Sequence, residues 1–319
     1  MQNSNWRELI LTWGTFLAFC LLFVVFALGI PGFASWGNAE NIFKQTAVLL
    51  LMSFGLLLPM IAGEIDISFG GSIGMAGALF ASLVVTGHPA WGAAVALVVC
   101  AIFGFVNGVF IAVFRMPSFL VTLATMFVGM GAERLYTHGF NIWVKDLKLL
   151  AIFNGHIIGV PNSVILIVAS FALLWLWVTR TRSGIYVRAV GENIDAARET
   201  GINVVAIKIL AFTLAGLFYG LGSILNTLRV SGSLAYSGQN LLLPTMAVCF
   251  IGATMFQSPK KNVPGNLVGA FFLTLITNGL TLLGVKYYFV PFSHGLLLLT
   301  AVIVANLGKS GLKIEQVKF

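Results

Sequence analysis

The sequence predicts an all-α protein, a polytopic membrane helix bundle of about ten spans. Two observations carry this. Of 319 residues, 59% are hydrophobic and only 9% are charged, with a mean hydropathy of +0.98; a soluble domain carries about 25% charged residues. The apolar residues also gather into runs close to the roughly 20 residues that a helix needs to cross the hydrocarbon layer. Ten runs can be counted, at 9–30, 42–62, 69–86, 91–114, 118–136, 163–178, 204–228, 241–256, 263–285 and 292–307.

Each element then has its own justification. The run at 9–30 follows a single basic residue, Arg7, and precedes no small-residue cleavage site, so it reads as a retained span rather than a signal peptide. The third and eighth runs are short and interrupted by Gly or Pro, the pattern of re-entrant or broken helices. The net charge is +8, but the basic residues fall between apolar runs, which orients a membrane protein and argues against nucleic acid as a partner. With the N-terminus inside and ten crossings, the inner side receives Arg7, Arg115, Arg180, Arg182, Arg188, Arg198, Lys208, Lys260, Lys261, Lys309, Lys313 and Lys318. The outer side receives Lys44, Arg134, Lys145, Lys148, Arg229 and Lys286, half as many. The longest outer loop, 138–162, is polar and aromatic and offers a docking surface.

One polar stretch, 179–203, interrupts the apolar pattern. It holds Arg180, Arg182, Arg188 and Arg198 with Glu192, Asp195 and Glu199, and must leave the bilayer. Asn193 is placed to cap a short helix, 194–200, and Gly201 to stop it. A second polar feature is Gly63-Glu64-Ile65-Asp66-Ile67-Ser68, followed by Gly70, Gly71 and Gly74. Pro59 and Gly63 should end one helix there. Glu64 and Asp66 then lie either beside a translocation path at a broken helix or in a short turn where they cap the next helix.

The remaining candidates are weaker. Adjacent Glu133 and Arg134 point to different helix faces and fit interfacial anchoring or contact with an outer partner. Cys20, Cys100 and Cys249 sit singly in apolar runs, as small buried side chains do, and His88, His138, His156 and His294 have no metal-site spacing. Gly308-Lys309-Ser310 has Ile303 where a P-loop requires glycine, so no nucleotide site and no cofactor is expected. Neither a nucleophile–base pair nor a metal cluster indicates an enzyme. Energy for any active transport would arrive from another protein. Asn107-Gly108 and Asn278-Gly279, five runs apart, hint at an inverted repeat.

The stretch from Gly184 to Ile202, with Arg188, Gly191, Glu192, Asn193, Asp195, Ala197, Arg198 and Gly201, resembles the cytoplasmic coupling segment of permease subunits of ribose-type, simple-sugar ABC importers. The Gly63–Ser68 run is similar to a second signature of that family, and Asn278-Gly279-Leu280 with Gly284-Val285 is similar to a third. The likeness covers nearly the whole chain. It implies one transmembrane permease domain, 1–319, with a coupling segment at 180–203 and an architecture like that of vitamin B12 importers.

The resemblance further implies a bacterial cytoplasmic (inner) membrane protein with both termini cytoplasmic and with lipid around it. Its implied partners are a cytoplasmic ABC ATPase that binds the ATP, an extracytoplasmic sugar-binding protein and a second permease subunit, identical or not. The small-molecule substrate would be a monosaccharide or sugar-like polyol. Glu64, Asp66, Ser68, Asn107 and Asn278 are the candidates for the translocation path. The chain departs from the pattern at Gly238-Gln239-Asn240, where many members carry acidic residues; Asn240 is expected to cap the eighth segment. Permeases for branched-chain amino acids or nucleosides share the general architecture, and an ion-coupled secondary transporter is the alternative outside the class.

Overall fold

A computed structural model describes residues 4–256 and 261–315, with side chains described for 13–256 and 261–303. The helices, in order, are α1 (Ser4–Gly29), α2 (Trp36–Ile61), α3 (Phe69–Val85), α4 (Pro89–Ala112), α5 (Ser118–Thr137), α6 (Leu147–Asn154), α7 (Asn162–Arg180), α8 (Arg182–Glu192), α9 (Ile194–Glu199), α10 (Val204–Arg229), α11 (Ser237–Ala253), α12 (Val263–Leu282) and α13 (Phe289–Glu315). Each of the ten expected runs is a helix; α6, α8 and α9 are additional and short. Among the described residues, α2, α4, α5, α7, α10 and α12 are long and apolar enough to cross a membrane. Helix α3 and the parts Trp13–Gly29 and Phe289–Ile303 are apolar but shorter.

Several local expectations need correction. The third run is one continuous helix of 17 residues, and only the eighth holds an internal Pro244. Helix α11 starts at Ser237, so Asn240 lies inside it and does not cap it. Pro59 sits inside the last turn of α2 rather than ending it; Gly63, at φ 86°, makes the stop. The Gly63 and Glu64 N–H groups donate back to the Met60 and Pro59 carbonyls at 3.2 and 2.9 Å, which satisfies the helix end. Cys100 and Cys249 are buried as expected, but Cys20 is exposed. Lys260 and Lys318, and the side chains of Arg7, Lys309, Lys313 and Ser310, lie outside the described residues.

The chain divides into two compact units, Met1–Thr46 with Leu243–Phe319, and Ala47–Leu242. In the first, Asn38 and Asn278 exchange amide hydrogen bonds at 3.0 and 2.8 Å, both side chains buried. Beside them pack Ile30, Phe33, Ile42 and Leu275.

The second unit is built on close backbone approach. Hydrocarbon is as apolar as a leucine side chain, so membrane helices associate through packing rather than hydrophobic exclusion, and small residues let them approach. Helices α4 and α10 do this with two reciprocal pairs at four-residue spacing. A Cβ at Gly104 would overlap the Phe212 carbonyl, and one at Gly216 the Cys100 carbonyl. Gly108 and Gly220 lie against Ile209 and Leu97 in the same way. Helix α3 meets α5 similarly at Gly71 and Gly129. The faces turned away carry exposed apolar side chains suited to lipid, such as Val98, Ile102 and Phe105 on α4 and Val168 and Leu173 on α7.

The loop 138–162 is ordered by two small ladders. Strand β1 (Ile142–Trp143) pairs antiparallel with β4 (Gly232–Ser233), and β2 (His156–Ile157) with β3 (Val160–Pro161). Asp146 caps α6 by accepting the Lys148 and Leu149 N–H groups at 3.0 and 3.1 Å.

The glycine contacts are directly testable. Gly216→Leu should destabilise the purified protein by about 2 kcal/mol or more, because backbone stands where the side chain would go. Gly131→Ala, on α5 with nothing within 4 Å of an added Cβ, should be neutral. Denaturation in detergent reads both.

Candidate functional site

The polar stretch folds as two helices meeting at a corner. Thr181 caps α8, its hydroxyl accepting the Gly184 N–H at 3.1 Å. Asn193, extended at φ −155° and ψ 105°, ends α8 and caps α9, its carbonyl oxygen accepting from the Asp195 and Ala196 N–H groups at 3.1 and 3.0 Å. Gly201, at φ 82°, stops α9 as expected: its N–H donates to the Arg198 carbonyl at 3.0 Å and that of Ile202 to the Ala197 carbonyl at 3.1 Å. The sequence reading missed α8 as a separate helix; the Ser-Gly start after Thr181 was its one signal.

Most of the candidate coupling residues face outward. Arg188, Gly191, Glu192, Asn193, Asp195 and Arg198 are exposed, while Ala197 is buried within the chain. Arg198 pairs with Asp195 at 3.3 Å, but both are so exposed that solvent leaves the pair little energetic weight.

The two polar features of the sequence meet in space. Gly191 rests on the end of α2 so closely that a Cβ there would overlap the Ile61 carbonyl oxygen. On the other side of this contact lies Gly63, whose added Cβ would stand 3.7 Å from the Gly191 Cα. The turn after Gly63 is then held by two further elements. Lys208 of α10 forms an ion pair with Glu64 at 2.5 Å, and these side chains are only 13% and 17% exposed. The Ile65 N–H donates to the Ser118 hydroxyl, at the start of α5, at 3.3 Å. In the sequence Lys208 bears only on orientation; its one signal for a partner is that it is a lone cation in the second turn of an apolar helix.

Asp66 is fully buried. Its Oδ1 accepts the Ser68 N–H at 2.9 Å and the Ser68 O–H at 2.6 Å, so the carboxylate holds the turn that feeds α3. Burial pushes this carboxyl up to about 6, against the opposing pull of hydrogen bonds from Ser68 and the Tyr219 hydroxyl. Ser68 is itself buried. The Tyr219 ring stacks on Phe69 with centroids 5.0 Å apart and occupies the space that a Cβ at Gly55 would need.

The other candidates stand apart from this turn. Asn107 is buried in α4, its Oδ1 accepting the Thr125 hydroxyl at 2.8 Å, while its Nδ2 has no partner among the described residues. Asn278 belongs to the other compact unit and is engaged with Asn38. Both asparagines hydrogen-bond a polar side chain of another helix. Glu133 is buried, its carboxylate against Gly74, while Arg134 lies over the Tyr236 ring at 4.4 Å.

Next to the Glu64 turn lies a cleft of about 540 Å³ lined by Glu64, Arg115, Ser118, Arg198, Asn203 and Lys208, among others. Arg115 adopts φ 56° in the connection between α4 and α5. The left-handed region costs a residue with a Cβ about 1 kcal/mol or more, so glycine or asparagine would sit there more cheaply.

Comparison with known proteins places this geometry in a family. Residues 38–307 match the family described as branched-chain amino acid transport system / permease component. The ribose import permease protein RbsC of Escherichia coli (strain K12) is 32% identical over 91% of this chain and 92% of its own length. That of Haemophilus influenzae is 30% identical over 96% and 97%. The galactose/methyl galactoside import permease protein MglC of Salmonella typhimurium is 27% identical over 94% and 97%. No solved structure matches significantly. With more than four-fifths of its length inside the match, the chain belongs to the branched-chain amino acid transport system / permease component family.

Proposed function

We propose that the chain is the membrane-spanning permease subunit of an ABC importer, translocating a monosaccharide or sugar-like polyol with ATP hydrolysed by a partner. The likeness to ribose and galactose import permeases supports the sugar class over amino acids. The observation that carries the mechanism is the seat of Gly191 on the end of α2. It ties an exposed, capped helix to the turn that begins α3, and through Lys208 and Ser118 to α10 and α5. A displacement of α9 is thereby delivered to several long helices at once, as rigid-body coupling requires.

In this reading α8 and α9 face the cytoplasm and α9 sits in a groove of the ATPase. The ordered loop 138–162 faces outward toward a sugar-binding protein, and a second permease completes the pore. The protein is then a ten-span inner-membrane subunit of the vitamin B12-importer type, with both termini cytoplasmic and no cofactor of its own. Glu64, Asp66 and Ser68 act as the hinge of α3 beside the path rather than as a sugar site, since Asp66 and Ser68 are enclosed.

Replacing residues 192–200 with a Gly/Ser linker should leave the protein inserted but abolish ATP-driven uptake; sugar uptake at the wild-type level would refute the coupling role. The Glu64–Lys208 pair should show a coupling energy of about 1–2 kcal/mol in a double-mutant cycle of Glu64→Gln and Lys208→Met, because each single change strands a little-exposed charge or its partner. Additive denaturation shifts would deny the pair any structural weight.

A further inference from the structure

The cleft beside the Glu64 turn carries a charge imbalance that its own residues do not resolve. Three cations, Arg115, Arg198 and Lys208, face one carboxylate, Glu64. Lys208 is taken up by Glu64 and Arg198 by Asp195. Arg115 forms no hydrogen bond or ion pair with any described residue, and it is exposed. Its backbone lies in the left-handed region, where glycine would be easier. An arginine at an uphill backbone position, unpaired and opening into a cleft, is the arrangement of a binding group awaiting an anion.

The position of the cleft bears on which anion could reach it. Its other walls are Ile194, Arg198, Ile202 and Asn203, from α9 and the residues just after it. A partner docked on α9 would border the cleft, because Ile194 and Arg198 belong to both.

We propose that the cleft receives an acidic side chain of the ATPase and that Arg115 is its ion-pair partner, a second anchor beside α9. This rests on the importer reading above. It adds that the α4–α5 connection, and not only the coupling segment, bears on the motor. Lys208 is neutralised by Glu64, while Arg198, only weakly held by Asp195 across an exposed pair, adds positive charge at the cleft mouth beside Arg115. A fork-shaped guanidinium also fixes the direction of approach, as an ammonium would not.

The test uses the full-length chain in nanodiscs and the ATPase that co-purifies with it and hydrolyses ATP. Arg115→Gly suits the backbone, so the variant should fold at least as well as the parent, checked by thermal denaturation. Its Kd for the ATPase should rise about ten-fold, the loss expected for one charge-assisted pair, with a shallower salt dependence. Arg115→Glu should weaken binding further, and a matching acid-to-lysine change on the ATPase should restore it. An unchanged Kd for Arg115→Gly, while the 192–200 linker variant loses binding, would overturn this anchor and leave the importer reading standing. If no ATP-hydrolysing protein co-purifies with the wild-type chain, the importer reading itself falls. If the Arg115→Gly defect occurs only in anionic-lipid discs and vanishes in neutral ones, the cleft serves a lipid headgroup and the proposal is wrong.

Discussion

The link between the polar stretch and the turn before α3 depends on one backbone-to-backbone contact, that of Gly191 with the Ile61 carbonyl. Contacts of this kind have no side chain to rotate away, so the two segments move together or separate completely. The turn from Gly63 to Ser68 is fixed at one side by this seat, at another by the Lys208 ion pair and at a third by the Ser118 hydroxyl. Asp66 closes it from within by binding Ser68. A short surface helix is thereby joined to three transmembrane-length elements without a long lever between them.

The same use of small residues runs through the rest of the second unit. Between α4 and α10 the glycines at 104, 108, 216 and 220 bring carbonyls and Cα atoms into direct contact, and α3 meets α5 at Gly71 and Gly129. Some hydroxyls here have defined partners on neighbouring helices: Ser223 donates to the Ile73 carbonyl at 2.6 Å and Thr125 to Asn107 at 2.8 Å. In a medium without water these bonds set register as much as they add stability.

Much of this was legible in the sequence. Run length and hydropathy located a helix at each of the ten runs, six of them long and apolar enough to cross lipid among the described residues. Capping chemistry located α9, since Asn193 and Gly201 act on neighbours within a few residues. The failures were of another kind. Periodicity did not show α8, because its eleven residues mix Arg182, Ser183, Gly184 and Arg188 in among the apolar positions. Nor could it pair Glu64 with Lys208, or seat Gly191 on Ile61, since those partners are distant in the chain and their meeting is decided by tertiary packing. The asparagines at 107 and 278 resemble each other in sequence context, but what they bind, Thr125 and Asn38, is not readable from either run.

The seat at Gly191 has a practical corollary for anyone scanning this region by mutagenesis. Every substitution there, alanine included, must push α8 away from α2, so an inactive variant at that position reports steric eviction and says nothing about recognition. Ala196 is the opposite case: exposed and one turn from the cap, it accepts a fluorophore or spin label without disturbing the core, whereas the same probe at the adjacent, inward-packed Ala197 would pry the helix loose.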